Sequence, residues 1–390
     1  MSLRKQKGLH FINVKFQFGI NKQLEYFVKI NNFTLRTLSV CYIIFSRIAN
    51  ALRWSSFSMD KLEAAETSIL KCLKTPYRGF HVTVKTNEDR DYKIWTLAFN
   101  EESKETPLLR IHGLGMGKNI LDQNSRKFFI YNQFILASAL WLLNFDTLAK
   151  ERPIYAIDNL GFGKSSRPEF SKDPLKVEEQ YVEVIEEWRK QMNLPKINLC
   201  GHSMGGFLSM SYALKYPERV KHLILSDPWG IPERTPGKYM KRFCAFFGKR
   251  ANLLWPLRAA GPTGPWMVLA AGYAVISKFT AVVEDKKMFL QYIHQCNLRR
   301  PTGEAALRTM SDNCFWAKHP MVRRMKDLSP DIPLTMLFGE KSFVDRVDED
   351  VVREARPNSY LKYQTLNCGH EIYAERSEEF NELVSEACKV

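Results

Sequence analysis

The sequence predicts an α/β protein: a mostly parallel sheet with an inserted helical cap. Three observations predict it. Short apolar runs bounded by turn residues alternate with amphipathic stretches of helical period. A glycine-flanked serine in "NLCGHSMGGFL", residues 198–208, joins one such run to a helix. The alternation lapses between Trp229 and Leu328 and then returns. At 390 residues the chain is long enough for one large domain carrying an insertion.

Patterning begins near Trp54. "KLEAAETSILKCL" reads as an amphipathic helix, "FHVTVKT" and "YKIWTLAFN" as a hairpin, and "TPLLRIHGLG" as a strand ending in a glycine-rich loop. "RPIYAIDNLGFGKSS" then gives a strand and turn, "VEEQYVEVIEEWRKQM" a helix, "INLCGHS" a strand, and "VKHLILSDPWG" another. After the lapse, "IPLTMLFG" and "SYLKYQTLNCGH" restore the strands, and a helix from Ser377 to Ala387 closes the chain. The expected organisation is a basic extension at 1–50, a core at 51–229 with an insert at 118–138, a helical cap at 230–328, and the rest of the core at 329–390.

Hydrophobic residues make up 45% of the chain and charged residues 25%, and mean hydropathy is -0.30, which argues against a polytopic membrane protein. The apolar runs Leu38–Phe45 and Pro265–Ile276 are too short to span a bilayer; they read as buried segments or as segments that dip into a lipid surface. The net charge of +15 is uneven: residues 1–50 hold eight basic residues against Glu25 alone. Such a leader suits an anionic lipid surface or a mitochondrial import pathway. A nucleic-acid partner is not expected, because the chain carries no helix-turn-helix, zinc-finger or RNA-binding signature. Its eight cysteines form no CxxC pair and read as reduced thiols, so neither a metal nor an organic cofactor is expected. The cap segment "KRFCAFFGKRANLLWPLR" mixes aromatic residues with Lys249 and Arg250, a composition suited to docking on anionic lipid.

Gly201, Ser203 and Gly205 fit G-x-S-x-G, a strand-to-helix turn that strains the serine backbone and aims its hydroxyl out over the end of the sheet. A serine hydroxyl is a weak nucleophile near neutral pH. It needs a base to take its proton and an acid to orient the base. His370, after the last strand, stands where the base belongs in the order Ser, acid, His. The acid is expected at Asp345, in the loop after "LTMLFG", with Asp348 next; Asp227 in "LSDPWG" reads as a turn or capping residue and Asp158 as structural. Backbone N–H groups at Met204 and Leu114 are the expected donors to an oxyanion.

"HGLGMG", "LGFGKSSRP", "GHSMGGFL", "YPERVKHLILSDPWG", "CNLRRPTGEAALRTM" and "HEIYAERSEEFN" together resemble the lipid-acting α/β-hydrolase-domain subfamily that includes the N-acyl-phosphatidylethanolamine lipase and the coactivator of adipose triglyceride lipase. The likeness covers most of residues 52–388. It implies the α/β-hydrolase fold, a phospholipid or N-acylated phospholipid substrate, and a peripheral place in the cytoplasm on lipid droplets or intracellular membranes, with a lipase as a further partner. The lipase branch has serine at the elbow and the coactivator branch asparagine, so Ser203 implies an acyl hydrolase. The family's His-x4-Asp motif, linked to lysophosphatidate acyltransferase activity, reads His370 to Glu375 here, with a longer acidic arm.

Overall fold

Residues 57–115, 119–121, 128–130, 134–135, 137–233, 258 and 261–390 are described by a computed structural model of the chain. The basic extension and the basic aromatic stretch up to residue 257 lie outside the described residues.

The elements that frame the site are α1 (Met59–Leu70), β1 (Tyr77–Lys85), β2 (Asp91–Phe99), β3 (Leu108–Ile111), α2 (Leu142–Leu148), β4 (Ile154–Ile157), α3 (Pro174–Gln191), β5 (Ile197–His202), α4 (Met204–Lys215) and β6 (Val220–Ser226). The chain continues through α5 (Gly264–Thr280), α6 (Lys286–Leu298), α7 (Thr302–Met310), β7 (Leu334–Gly339), α8 (Glu349–Ala355), β8 (Leu361–Leu366), α9 (Ile372–Glu375) and α10 (Ser377–Ala387). One eight-stranded sheet runs in the order β1-β2-β4-β3-β5-β6-β7-β8. The β1–β2 hairpin and the β2–β4 pair are antiparallel, and every later pairing is parallel. This is the α/β-hydrolase fold.

Burial follows from that topology. Strands β3, β4, β5 and β7 are buried along their whole length, as parallel strands covered on both faces must be, whereas the edge strand β8 is buried only at Leu366. Alternate residues feed two cores. Leu109, Leu199, Leu223 and Leu225 pack with α3, α4 and α7 on one face, while Leu108, Cys200 and Ile224 pack with α1, α2, α6 and α10 on the other. The helix starts carry their own signals. Ser58 accepts from Lys61 N at 3.2 Å to cap α1, and Asp173 accepts from Leu175 N at 2.9 Å to cap α3, with Pro174 following.

One core position breaks the apolar rule. Arg110 on β3 is fully buried, and its guanidinium has the Cys200 thiol beside it but no oxygen acceptor among the described residues. Its guanidinium lies 3.6 Å from the Trp141 ring centre and 5.2 Å from that of Phe380. Burial pushes its pKa down to about 10, which leaves it charged at neutral pH.

Two short antiparallel pairs are described in and after the glycine-rich loop, within the stretch expected as an insert. Leu114–Gly115 pairs antiparallel with Phe134–Ile135, and Asn119–Leu121 with Phe128–Ile130, both outside the main sheet. Between β6 and β7 the described chain is helical, as α5 to α7. No helix among the described residues is long and apolar enough to cross a membrane.

Candidate active site

Ser203 closes β5 and opens α4. Its backbone is left-handed, at φ 55° and ψ −121°, a strained conformation for a residue with a Cβ. Neighbouring backbone holds it there. Ser203 N–H donates to Ser226 C=O at 3.1 Å, and Ser203 C=O accepts from Gly206, Phe207 and Trp229 N–H at 3.0, 3.2 and 3.0 Å. Two glycines let the surrounding chain come this close. A Cβ on Gly205 would stand 2.2 Å from Ile111 O, and one on Gly113 would stand 2.5 Å from Ser203 Cβ. The end of β3 is thus packed against the elbow. Met204 is the first residue of α4, so its N–H has no helical carbonyl to reach.

The glycine-rich loop is fixed from behind by His112. Asn159 N–H donates to His112 Nε2 at 3.0 Å, which leaves the proton on Nδ1 to be donated to Gly113 C=O at 2.8 Å. Asn159 Nδ2 also donates to His112 C=O at 2.7 Å. Burial holds the His112 pKa below that of an ordinary histidine, in keeping with a neutral ring. Leu114 follows, buried and paired with Ile135.

His370 lies in the loop between β8 and α9, with Nδ1 hydrogen-bonded to Asp227 Oδ2. Burial opposes a charge on this ring, but the hydrogen bond and charge of Asp227, aided by Glu371 and Glu375, outweigh it and raise the His370 pKa above the usual value. Where the sequence points to Asp345, the acid hydrogen-bonded to the ring is Asp227, from the end of β6. Asp227 is fully buried, and its left-handed backbone, φ 44°, turns its carboxylate across the carboxyl end of β7. There Oδ1 accepts from Gly339 N–H at 3.0 Å, and Oδ2 accepts from Ser342 Oγ as well as from His370. Asp345 lies half-buried in the loop beyond Ser342, and Asp348 is the residue before α8. Asp158 holds loops together, accepting from Ser138 N and Lys164 N at 2.7 Å each.

Sequence reasoning missed His202, the variable residue of the elbow motif. Its Nε2–H donates to His370 C=O at 3.0 Å, and the two rings are 4.6 Å apart. Burial and the nearby His370 charge push its pKa well below the ordinary value, so the ring is neutral. Within the sequence, its adjacency to Ser203 was the available signal. His202, His370 and Glu371 can each bring a ligand atom within 4.8 Å of the others. Two of those donors are engaged, His202 Nε2 on the His370 carbonyl and His370 Nδ1 on Asp227, so the cluster reads as a hydrogen-bonded base and its support. His370 Nε2 is buried and has no hydrogen-bond partner among the described residues, which leaves it available to take a proton. Glu375 turns back toward this loop, its Oε2 accepting from Gly369 N–H at 2.9 Å.

Comparison with known proteins agrees with this geometry. Residues 106–254 match the alpha/beta hydrolase fold family. The chain is 37% identical over 345 residues to a (lyso)-N-acylphosphatidylethanolamine lipase of Mus musculus, covering 85% of this chain and 92% of the relative. It is 39% identical over 340 residues to a 1-acylglycerol-3-phosphate O-acyltransferase of Homo sapiens, covering 85% and 90%. Among solved structures, the carboxylesterase CesB of Bacillus subtilis superposes with a TM-score of 0.55 at 16% identity, over 84% of this chain and 96% of that one, a likeness of fold.

Proposed function

Because this chain belongs to the α/β-hydrolase subfamily that holds (lyso)-N-acylphosphatidylethanolamine lipase and 1-acylglycerol-3-phosphate O-acyltransferase, we propose that it is a serine acyl hydrolase of phospholipids, lysophospholipids or N-acylated phosphatidylethanolamines. The observation that carries this reading is the strained Ser203 backbone, on the strand beside the one that delivers Asp227 to His370.

In this mechanism Ser203 Oγ attacks the acyl carbonyl while His370 Nε2 takes its proton. Asp227 holds the tautomer with the proton on Nδ1 and stabilises the imidazolium that forms. The N–H groups of Met204 and Leu114 meet the negative charge on the carbonyl oxygen, Met204 with the field of the α4 N-terminus behind it. His370 then passes its proton to the leaving alkoxide or amine, and a water activated by the same ring releases the fatty acid from Ser203. The Ser203–His370 hydrogen bond is not made in this structure, and it closes as substrate fills the site. No metal or organic cofactor enters these steps.

A second reading is favoured by the acyltransferase relative: the hydroxyl of a lysophosphatidate replaces water in the second half-reaction, yielding phosphatidate in place of free fatty acid. A third, a non-catalytic coactivator that recruits a separate lipase, has no need of Ser203. One set of assays separates them. A fluorophosphonate probe should label the wild type and leave Ser203→Ala unlabelled, and product analysis with and without lysophosphatidate should distinguish fatty acid from phosphatidate. Equal esterase activity in the wild type and Ser203→Ala would leave the coactivator reading standing.

A lipid substrate also requires a lipid surface. Each CH2 moved into water costs about 0.8 kcal/mol, so a peripheral enzyme works best where its pocket opens at the interface. Trp266, 69% exposed in the first turn of α5, supports such docking, and α5 packs on α9 next to His370. The basic residues Lys249 and Arg250, which lie outside the described residues, add attraction to anionic lipid.

A further inference from the structure

The loop that carries His370 is tied down on both sides of that residue. On the C-terminal side, His202 Nε2–H donates to the His370 carbonyl at 3.0 Å. On the N-terminal side, Glu375 Oε2 accepts from the N–H of Gly369, the residue immediately before His370, at 2.9 Å. The approach is close enough that a Cβ on Gly369 would stand 2.7 Å from Glu375 Oε1. Glu375 is itself held at the end of α9, its N–H donating to Glu371 C=O at 2.9 Å, and Arg376 next to it donates from Nε and a terminal nitrogen to Asn367 C=O at 3.3 and 3.2 Å.

From this geometry we infer that Glu375 is a positioning residue for His370: its carboxylate fixes the Gly369 backbone so that Nδ1 of the ring meets Asp227 and Nε2 is left ready for Ser203. The inference rests on the hydrolase reading and gives the second member of the His-x4-acid pair a task other than acyl transfer. It also gives the glutamate a reason. Aspartate is shorter by one C–C bond, about 1.5 Å, so a 2.9 Å hydrogen bond would open beyond bonding distance unless the loop moved with it. In this chain the length of the arm, more than its charge, holds the base.

Three variants of the full chain test this with p-nitrophenyl butyrate as substrate. Glu375→Ala and Glu375→Asp should lower kcat roughly tenfold or more with KM within about twofold, because a base displaced by a fraction of an ångström is badly placed in the transition state while binding is untouched. Glu375→Gln should stay within about threefold of the wild type, since its amide oxygen still accepts from Gly369. If Glu375→Gln falls as far as Glu375→Ala, or if Glu375→Asp keeps the wild-type kcat, the positioning role is wrong. Backbone amide exchange at Gly369 reads the same bond without any reaction: protection in the wild type and Glu375→Gln, with fast exchange in the Ala and Asp variants, supports it. Equal exchange in all four proteins overturns it. A wild type that hydrolyses no ester but shows this exchange pattern would refute the hydrolase reading and leave the Glu375–Gly369 contact standing.

Discussion

The loop at Ser203 and the loop at His370 meet at one site but are held by different forces. Ser203 is set first by its own neighbourhood, with a left-handed backbone, glycines two residues away on either side and hydrogen bonds from Gly206 and Phe207 in α4, to which Ser226 and Trp229 beyond the next strand add two backbone bonds. His370 is set by side chains that arrive from elsewhere. Asp227 comes from 143 residues away and His202 from 168, while Glu375 is supplied locally. Local sterics write themselves into sequence as a motif, because few residue types tolerate them. Long-range hydrogen bonds leave no spacing to read.

The largest effect should come from breaking the partnership itself. Ser203→Ala should leave the fold intact and lower kcat/KM by on the order of a thousandfold or more, with His370→Ala close behind, measured on a soluble ester and on lysophospholipid micelles. The next tests which acid holds the second loop. Asp227→Asn should lower kcat by about a hundredfold or more through the wrong tautomer of His370, whereas Asp345→Asn should stay within a few-fold of the wild type. Reversal of those two results would return the role to Asp345. Smaller still is the effect of His202→Phe, which keeps a ring in the core and removes the donor to the His370 carbonyl. One hydrogen bond of this kind contributes about 1 kcal/mol, so kcat should fall roughly five- to tenfold with KM little changed.

The smallest is a shift in pH dependence. His370 must be neutral to act as base, and its pKa is raised, so the acid limb of kcat/KM should lie above that expected of an ordinary histidine and activity should fall as pH drops through it. Asp227→Asn removes the group that holds the pKa up, and the residual activity should have its acid limb at lower pH. The matching effect on stability has the opposite sense: a raised histidine pKa stabilises the fold most at pH below the unfolded value, and that contribution is lost as pH rises through the folded pKa.

Most of the sheet was legible because its strands announce themselves. Strand β1 alternates toward its end, with Asp89 and Arg90 at the turn to β2, and β3, β5 and β7 are short apolar runs with turn residues on each side. The closing helix Ser377–Ala387 was readable to the residue. The elbow and the histidine that follows the last strand stood out by type and order. The acid did not, because the choice between the loops after β6 and β7 is made in space: the strands are parallel neighbours, and their carboxyl ends reach the same ring. Proline and glycine after Asp227 suggested a turn residue, and it is one, but its left-handed backbone also aims the carboxylate. His202 escaped for the same reason, since it acts on a backbone group in the folded chain, and Glu375 stood out as the acid of the His-x4 motif without its contact to the Gly369 backbone being readable.

Arg110 has a consequence for heat tolerance. A charge sealed among Trp141, Phe380 and the strands, with no acid or carbonyl on its nitrogens among the described residues, keeps little of the hydration it had in the unfolded chain. Native cores rarely carry that handicap, because a buried charge short of hydrogen bonds costs more to desolvate than an apolar side chain of similar volume in its place. Arg110→Met should therefore fold at least as well and melt at a higher temperature. A chain that keeps the arginine lives nearer its unfolding threshold than its packing requires, and it has a route to greater robustness through a single position in the middle of its sheet.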